Sequence, residues 1–135
     1  MASFSETQIQ QVWDKGKKVD GYDEDRYRKD ACDAWMMRDK HGEESLYGWQ
    51  IDHVYPESEG GDEELVNLRP MQWENNQSKD NNYPDYTAKV TSDGDKNIYK
   101  KQSKVVNEPL QAKLKKLYNL SFSIIEMTDQ TISFS

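Results

Sequence analysis

The hydrophobic positions of this chain fall in short runs separated by long polar stretches, and each run has a period of its own. "SETQIQQVWDKGKKV" opens with Ser5 and Gln8 in capping-box register and then spaces Ile9, Val12 and Trp13 along one face, which predicts a short amphipathic helix. Residues 27 to 39, "YRKDACDAWMMRD", fit a helix and a turn between strand-like pieces equally well, so periodicity leaves them open. "HGEESLYG" reads as a loop, and "WQIDHVY" alternates like a strand ended by Pro56. The turn "ESEGGDEE" leads to "LVNLRPM", a second short strand that Pro70 confines to an edge, and "WENNQSKDNN" has the polar character of a short helix starting near Trp73.

Beyond Pro84, "YTAKVTS" and "NIYKKQSKVV" flank "DGDK", a hairpin signal. "EPLQAKLKKLYNL" places Pro109 near a helix start with leucines at 110, 114, 117 and 120, and "SFSIIEM" and "TISFS" predict a closing pair of strands. No repeat or low-complexity linker divides the chain. The expectation is α+β: a single domain over 1–135, with a strand, turn, strand and helix core at about 45–84, an N-terminal helical segment, and a C-terminal hairpin, helix and strand appendage at about 85–135.

Composition narrows the picture. A chain of 135 residues with 34% hydrophobic content can close only a modest core, carried by Trp13, Trp35, Trp49, Trp73 and eight tyrosines. No stretch approaches a membrane span, and "MASFSETQIQ" lacks the basic and apolar regions of a signal peptide, so a cytoplasmic protein is expected. The single cysteine, Cys32, cannot form an internal disulfide, and structural zinc is not expected. A net charge of −7 argues against a generic coat protein for nucleic acid, whose affinity for phosphates comes mainly from Lys and Arg. The balance reverses over 89–116, where eight lysines stand against Asp93, Asp95 and Glu108, and this is the candidate basic face.

The candidate chemistry lies in 48–79. A lone histidine in an apolar run is more often a satisfied core residue than a catalyst, so His53 needs support from its surroundings. If the helix packs across the hairpin, Asn76 in its first turns faces the strand end carrying Asp52 and His53. Asp52 and Asn76 then offer two hard oxygens, suited to a Mg²⁺ that keeps several waters and takes a phosphate as a further ligand. His53 points to the other side of its strand from Asp52 and is free to take a proton from water. Asn67 can hydrogen-bond across the hairpin and hold His53 in orientation.

"IDHVYPESEGGDEELVNLRPMQWENNQSK" resembles the HNH endonucleases, the His-Me-finger or ββα-metal family: Asp-His, Pro, Gly-Gly, Asn-Leu and a final Asn followed three residues later by Lys fall in order. A more diffuse similarity extends upstream through "RKDACDAWMMRDKHGEESLYGW". The resemblance implies a ββα-metal core hydrolysing phosphodiester bonds in DNA. In it His53 is the general base, Asn67 positions the catalytic loop, and Asp52 and Asn76 bind Mg²⁺ or Mn²⁺. Many relatives clamp the motif with two Cys-x-x-Cys pairs on zinc; here Lys29, Cys32, Gln72 and Asn75 occupy those places, and packing among Trp35, Trp49 and Trp73 is expected instead.

Lys79 and Arg69 are expected to steady a phosphate, with solvated surface the competing reading for Arg69. Lys100, Lys101, Lys104 and Lys113 are expected to dock DNA, and the overall acidity suggests a protein partner. His41 is expected to be exposed. Two alternatives remain: a catalytically silent nucleic-acid-binding module on the same fold, and an acidic DNA mimic. The intact set of Asp52, His53, Asn67 and Asn76 weighs against both.

Overall fold

The computed structural model describes residues 3–120; the closing strands expected in "SFSIIEM" and "TISFS" lie outside them. Helix α1 (Glu6–Trp13) starts as its sequence dictates: the Ser5 hydroxyl accepts from the Gln8 backbone N–H, and the Gln8 side chain accepts from the Ser5 N–H. The open segment 27 to 39 resolves as a small hairpin, β1 (Tyr27–Lys29) and β2 (Trp35–Met37), followed by one 3₁₀ turn at Arg38–Lys40. Its strands are three residues each, too short for periodicity to separate from a helix.

Strand β3 (Trp49–His53) pairs antiparallel with β4 (Leu68–Gln72), Asp52 opposite Arg69 and His53 opposite Leu68, and helix α2 (Trp73–Lys79) follows β4 without a linker. Pro70 sits opposite Ile51 and is tolerated because the sheet has only two strands. The long hairpin β5 (Asp85–Asp93) and β6 (Lys96–Val105) turns at Gly94, which has φ +64°, and carries a register shift between Ala88 and Val90. Helix α3 (Glu108–Leu117) is capped by the Asn107 side chain, with Pro109 in its first turn. The described residues thus mix helices with small antiparallel sheets, an α+β arrangement.

All five β4 residues are buried, because the β3–β4 hairpin is covered on two sides. One apolar cluster joins Ile9, Val12 and Trp13 of α1 to Met36, Trp49, Ile51 and Leu68. The other joins Val54 and Met71 to Cys32, Tyr86, Ala88, Val106 and Leu114. Residues 86–114 therefore complete a core around the hairpin.

The expected tryptophan clamp is replaced by a hydrogen-bond hub. Trp49 packs on Trp13 with centroids 5.3 Å apart, Trp35 packs on Tyr22 at 4.5 Å, and neither stacks on Trp73. The junction between hairpins is instead held by Asp30, fully buried, whose Oδ1 accepts from the backbone of Cys32 (2.8 Å) and Ala34 (2.9 Å). Its Oδ2 accepts from the Gln72 backbone (3.0 Å) and from Asn75 Nδ2 (3.1 Å). Asn75 continues the network, donating to the Val90 carbonyl and accepting from the Lys89 and Val90 N–H groups, each at 2.8 Å. The physical reason is polar satisfaction: buried N–H donors at the start of α2 and in the β1–β2 turn need acceptors, which indole packing cannot supply. Cys32 is buried, and burial pushes its thiol up to about 12, so it is held as the thiol in place of a thiolate ligand.

Candidate functional site

The loop between β3 and β4 is built around Asn67. Its Oδ1 accepts from the Tyr55 N–H at 2.7 Å, while Nδ2 donates to the carbonyls of Tyr55 and Asp62, each at 3.1 Å. One buried amide thus fixes both ends of the segment that follows His53. The double glycine serves the same closure: Gly60 has φ +111°, and a Cβ on Gly61 would lie 1.9 Å from the Tyr55 carbonyl oxygen. Asn67 was expected on the second strand, holding His53; it lies instead in the 3₁₀ turn Leu65–Asn67 just before β4, and its side chain bonds the backbone of Tyr55 and Asp62, not His53.

Asp52 is buried at 3% exposure between two cations. Arg69 Nε donates to Oδ2 at 2.9 Å, and Lys79 Nζ lies 3.3 Å from Oδ1. Lys79 is wholly buried and also donates to the carbonyls of Val54 (3.0 Å) and His53 (3.3 Å), tying the end of α2 to the end of β3. Burial pulls its ammonium below the ordinary lysine range, against the opposing pull of Asp52. Arg69 also lies over the Tyr86 ring at 5.3 Å. Both residues expected at a phosphate therefore have Asp52 as their immediate charge partner.

Asp52, His53 and Asn76 border one cleft of about 680 Å³, together with Gln50, Glu57 and His41. Asn76 donates its amide N–H to Gln50 Oε1 at 3.0 Å, so its carbonyl oxygen is the atom left for a cation. His53 is half-buried, and its Nε2 lies 2.9 Å from Glu63 Oε2 and 3.7 Å from Glu57 Oε2. His41 is half-buried against the Trp49 ring at 4.6 Å, where exposure was expected. Burial, with Arg38 nearby, lowers its pKa.

The donor atoms suit a hard divalent ion. Asp52 keeps lone pairs beyond the two used by Arg69 and Lys79, and Asn76 contributes a neutral oxygen. His53, Glu57 and Glu63 form a second group, with ligand atoms all within 4.8 Å of one another. The lysines at 100, 101 and 104 lie on β6 and Lys113 on α3, away from this cleft; Lys113 lines a separate cavity of about 580 Å³ with Lys15, Lys29 and Arg69.

The pattern of 48–79 did not reveal Gln50 or Glu63 as neighbours of the site. The only trace of Glu63 in the sequence is its place in the acidic run after Gly-Gly, where one carboxylate among several in a turn carries no signal of which will fold back on His53.

Residues 44–85 match the family model described as HNH endonuclease. No curated protein and no solved structure matches the chain. The match covers less than half of the chain and makes the segment bearing the motif similar to the HNH endonucleases, a family of nuclease type. Among the described residues, no helix is long and apolar enough to cross a membrane.

Proposed function

We propose that this protein is a divalent-metal-dependent endonuclease that hydrolyses phosphodiester bonds in DNA through His53, with Asp52 and Asn76 as the metal-holding pair. The observation that carries the reading is the shared cleft of Asp52, His53 and Asn76, walled on one side by the loop that Asn67 pins. Bound there, Mg²⁺ or Mn²⁺ would supply charge neutralisation at the phosphate. The protein's own part is to orient the imidazole. His53 takes a proton from water as the water oxygen bonds to phosphorus; the bond from phosphorus to the leaving sugar oxygen breaks, and that oxygen takes a proton from solvent. Lys100, Lys101, Lys104 and Lys113 then serve as backbone contacts remote from the chemistry.

The ion pairs at Asp52 favour a second reading, a nucleic-acid-binding module without catalysis, because the carboxylate already has two cations. A plasmid-nicking assay in Mg²⁺ separates the two. The parental protein is expected to nick, and His53→Ala to bind metal and DNA as before while cleavage falls by a factor on the order of 10² to 10⁴. Equal rates for the two proteins, or an unfolded variant, would return His53 to a core role.

A further inference from the structure

The feature of the cleft that the proposed chemistry leaves unused is the carboxylate on His53. Glu63 enters from the loop after Gly61, ten residues beyond the histidine, and its Oε2 stands 2.9 Å from Nε2, within the range of a charge-assisted hydrogen bond. Glu57 Oε2, at 3.7 Å, is outside that range. The loop that delivers Glu63 is built to a fixed shape. Asn67 donates to the Asp62 carbonyl, Asp62 Oδ1 accepts from the Glu64 N–H at 3.2 Å, and Tyr118 donates to Asp62 Oδ1 at 2.6 Å and accepts from the Asp62 N–H. Side chains from the turn just before β4 and from just beyond α3 therefore both fix the residue just before Glu63.

A carboxylate can only accept, so a neutral His53 facing it carries its proton on Nε2 and leaves the Nδ1 lone pair as the base. When Nδ1 takes a proton, the imidazolium still shares its Nε2–H with the carboxylate, which stabilises the charge that forms.

We infer that Glu63 is a positioning residue for His53, selecting the Nε2–H tautomer so that Nδ1 is the proton acceptor. The inference rests on His53 being the base, and it competes with a direct alternative in which Glu63, Glu57 and His53 are ligands to a metal.

The test is nitrogen-15 NMR of the histidine-labelled full chain without metal, comparing the parental protein with Glu63→Ala. The parental protein is expected to show His53 protonated at Nε2, and Glu63→Ala to show mixed tautomers, with the fold confirmed by unchanged backbone spectra. Cleavage by Glu63→Ala is expected to fall about 10- to 100-fold, and Glu63→Ala added to His53→Ala is expected to cost nothing further. Unchanged tautomer signals in Glu63→Ala, or an equal further loss on the His53→Ala background, would overturn the assignment. A fall in Mg²⁺ or Mn²⁺ affinity in Glu63→Ala, read by calorimetry, would overturn it in favour of ligation. If the parental protein cuts no DNA, the nuclease reading fails, while the tautomer comparison still decides whether Glu63 sets the proton on His53.

Discussion

Asp30 and Asp52 are both buried carboxylates beside antiparallel hairpins, yet their surroundings differ in kind. Asp52 has two cations, Arg69 and Lys79, on its two oxygens. Asp30 has none, only four neutral N–H donors, two on each oxygen, and burial raises its pKa despite them. A carboxylate surrounded by neutral dipoles is a structural acceptor: it organises backbone and has no cation that a ligand could displace. A carboxylate set between two cations at the wall of a cleft has charged partners that a ligand could compete with. The difference assigns Asp30 to holding β1, β2 and α2 together, and leaves Asp52, at the cleft wall, as the carboxylate that the proposed chemistry would use.

The most severe way to break this contrast is at Asp30. In Asp30→Asn the new Nδ2 must face either the Gln72 and Asn75 donors or the Cys32 and Ala34 donors, leaving two buried groups unpaired whichever way the amide turns. The expected loss is about 4 kcal/mol of unfolding free energy, at about 1–3 kcal/mol for each orphaned group. Urea unfolding that differs from the parental protein by less than about 1 kcal/mol would show that the hub is dispensable.

The Asp52 side is tested by Lys79→Met, which keeps the length of the side chain and removes the charge. It leaves Asp52 with Arg69 alone and strips a donor from the Val54 carbonyl, so a loss of about 3 kcal/mol is expected, at the lower end for breaking a buried pair. Thermal unfolding checks it, and a neutral outcome would mean that Arg69 alone compensates Asp52.

The smallest effect concerns His41 at the rim of the same cleft. Its folded pKa lies below the ordinary 6.5, so the folded state binds fewer protons than the unfolded one. The stability this contributes is present above about pH 6.5 and is lost as pH falls through the folded value. His41→Phe keeps the contact with Trp49 and removes the proton site. The drop in stability between pH 7 and pH 5 is expected to be smaller than in the parental protein by less than about 1 kcal/mol. Identical pH curves for the two proteins would remove His41 from the acid response.

Local signals in the chain were enough to place the elements around the site. The Ser5–Gln8 capping box, the alternation over Trp49–His53, the Gly-Gly turn, the start of α2 at Trp73 and the Pro109 helix entry each rest on interactions within a few residues, and each appears where those residues put it. The hairpin at 27–37 stayed open because three-residue strands carry no period, and its pairing draws on partners such as Asn97, whose amide bonds both the N–H and the carbonyl of Trp35.

What the sequence by itself determined is the order of chemical groups along the motif: Asp52, His53, Asn67 and Asn76, with glycines where the backbone must pass close to Tyr55. What only the tertiary structure decided is which groups meet. Lys79 reaches back 26 residues to the His53 carbonyl, Gln72 and Asn75 reach Asp30 across more than 40, and Glu63, one acid of several in its loop, is the one against Nε2. The pairings of Lys79, Gln72 and Asn75 follow from burial, whereas Glu63 is exposed and is brought to His53 by the shape of its loop. Once the hairpin is covered on both sides, a buried charge or donor inside it is costly unless it finds a partner in space, and most do, Arg69 Nη2 being an exception; the choice among equally polar candidates depends on distances that no local pattern encodes.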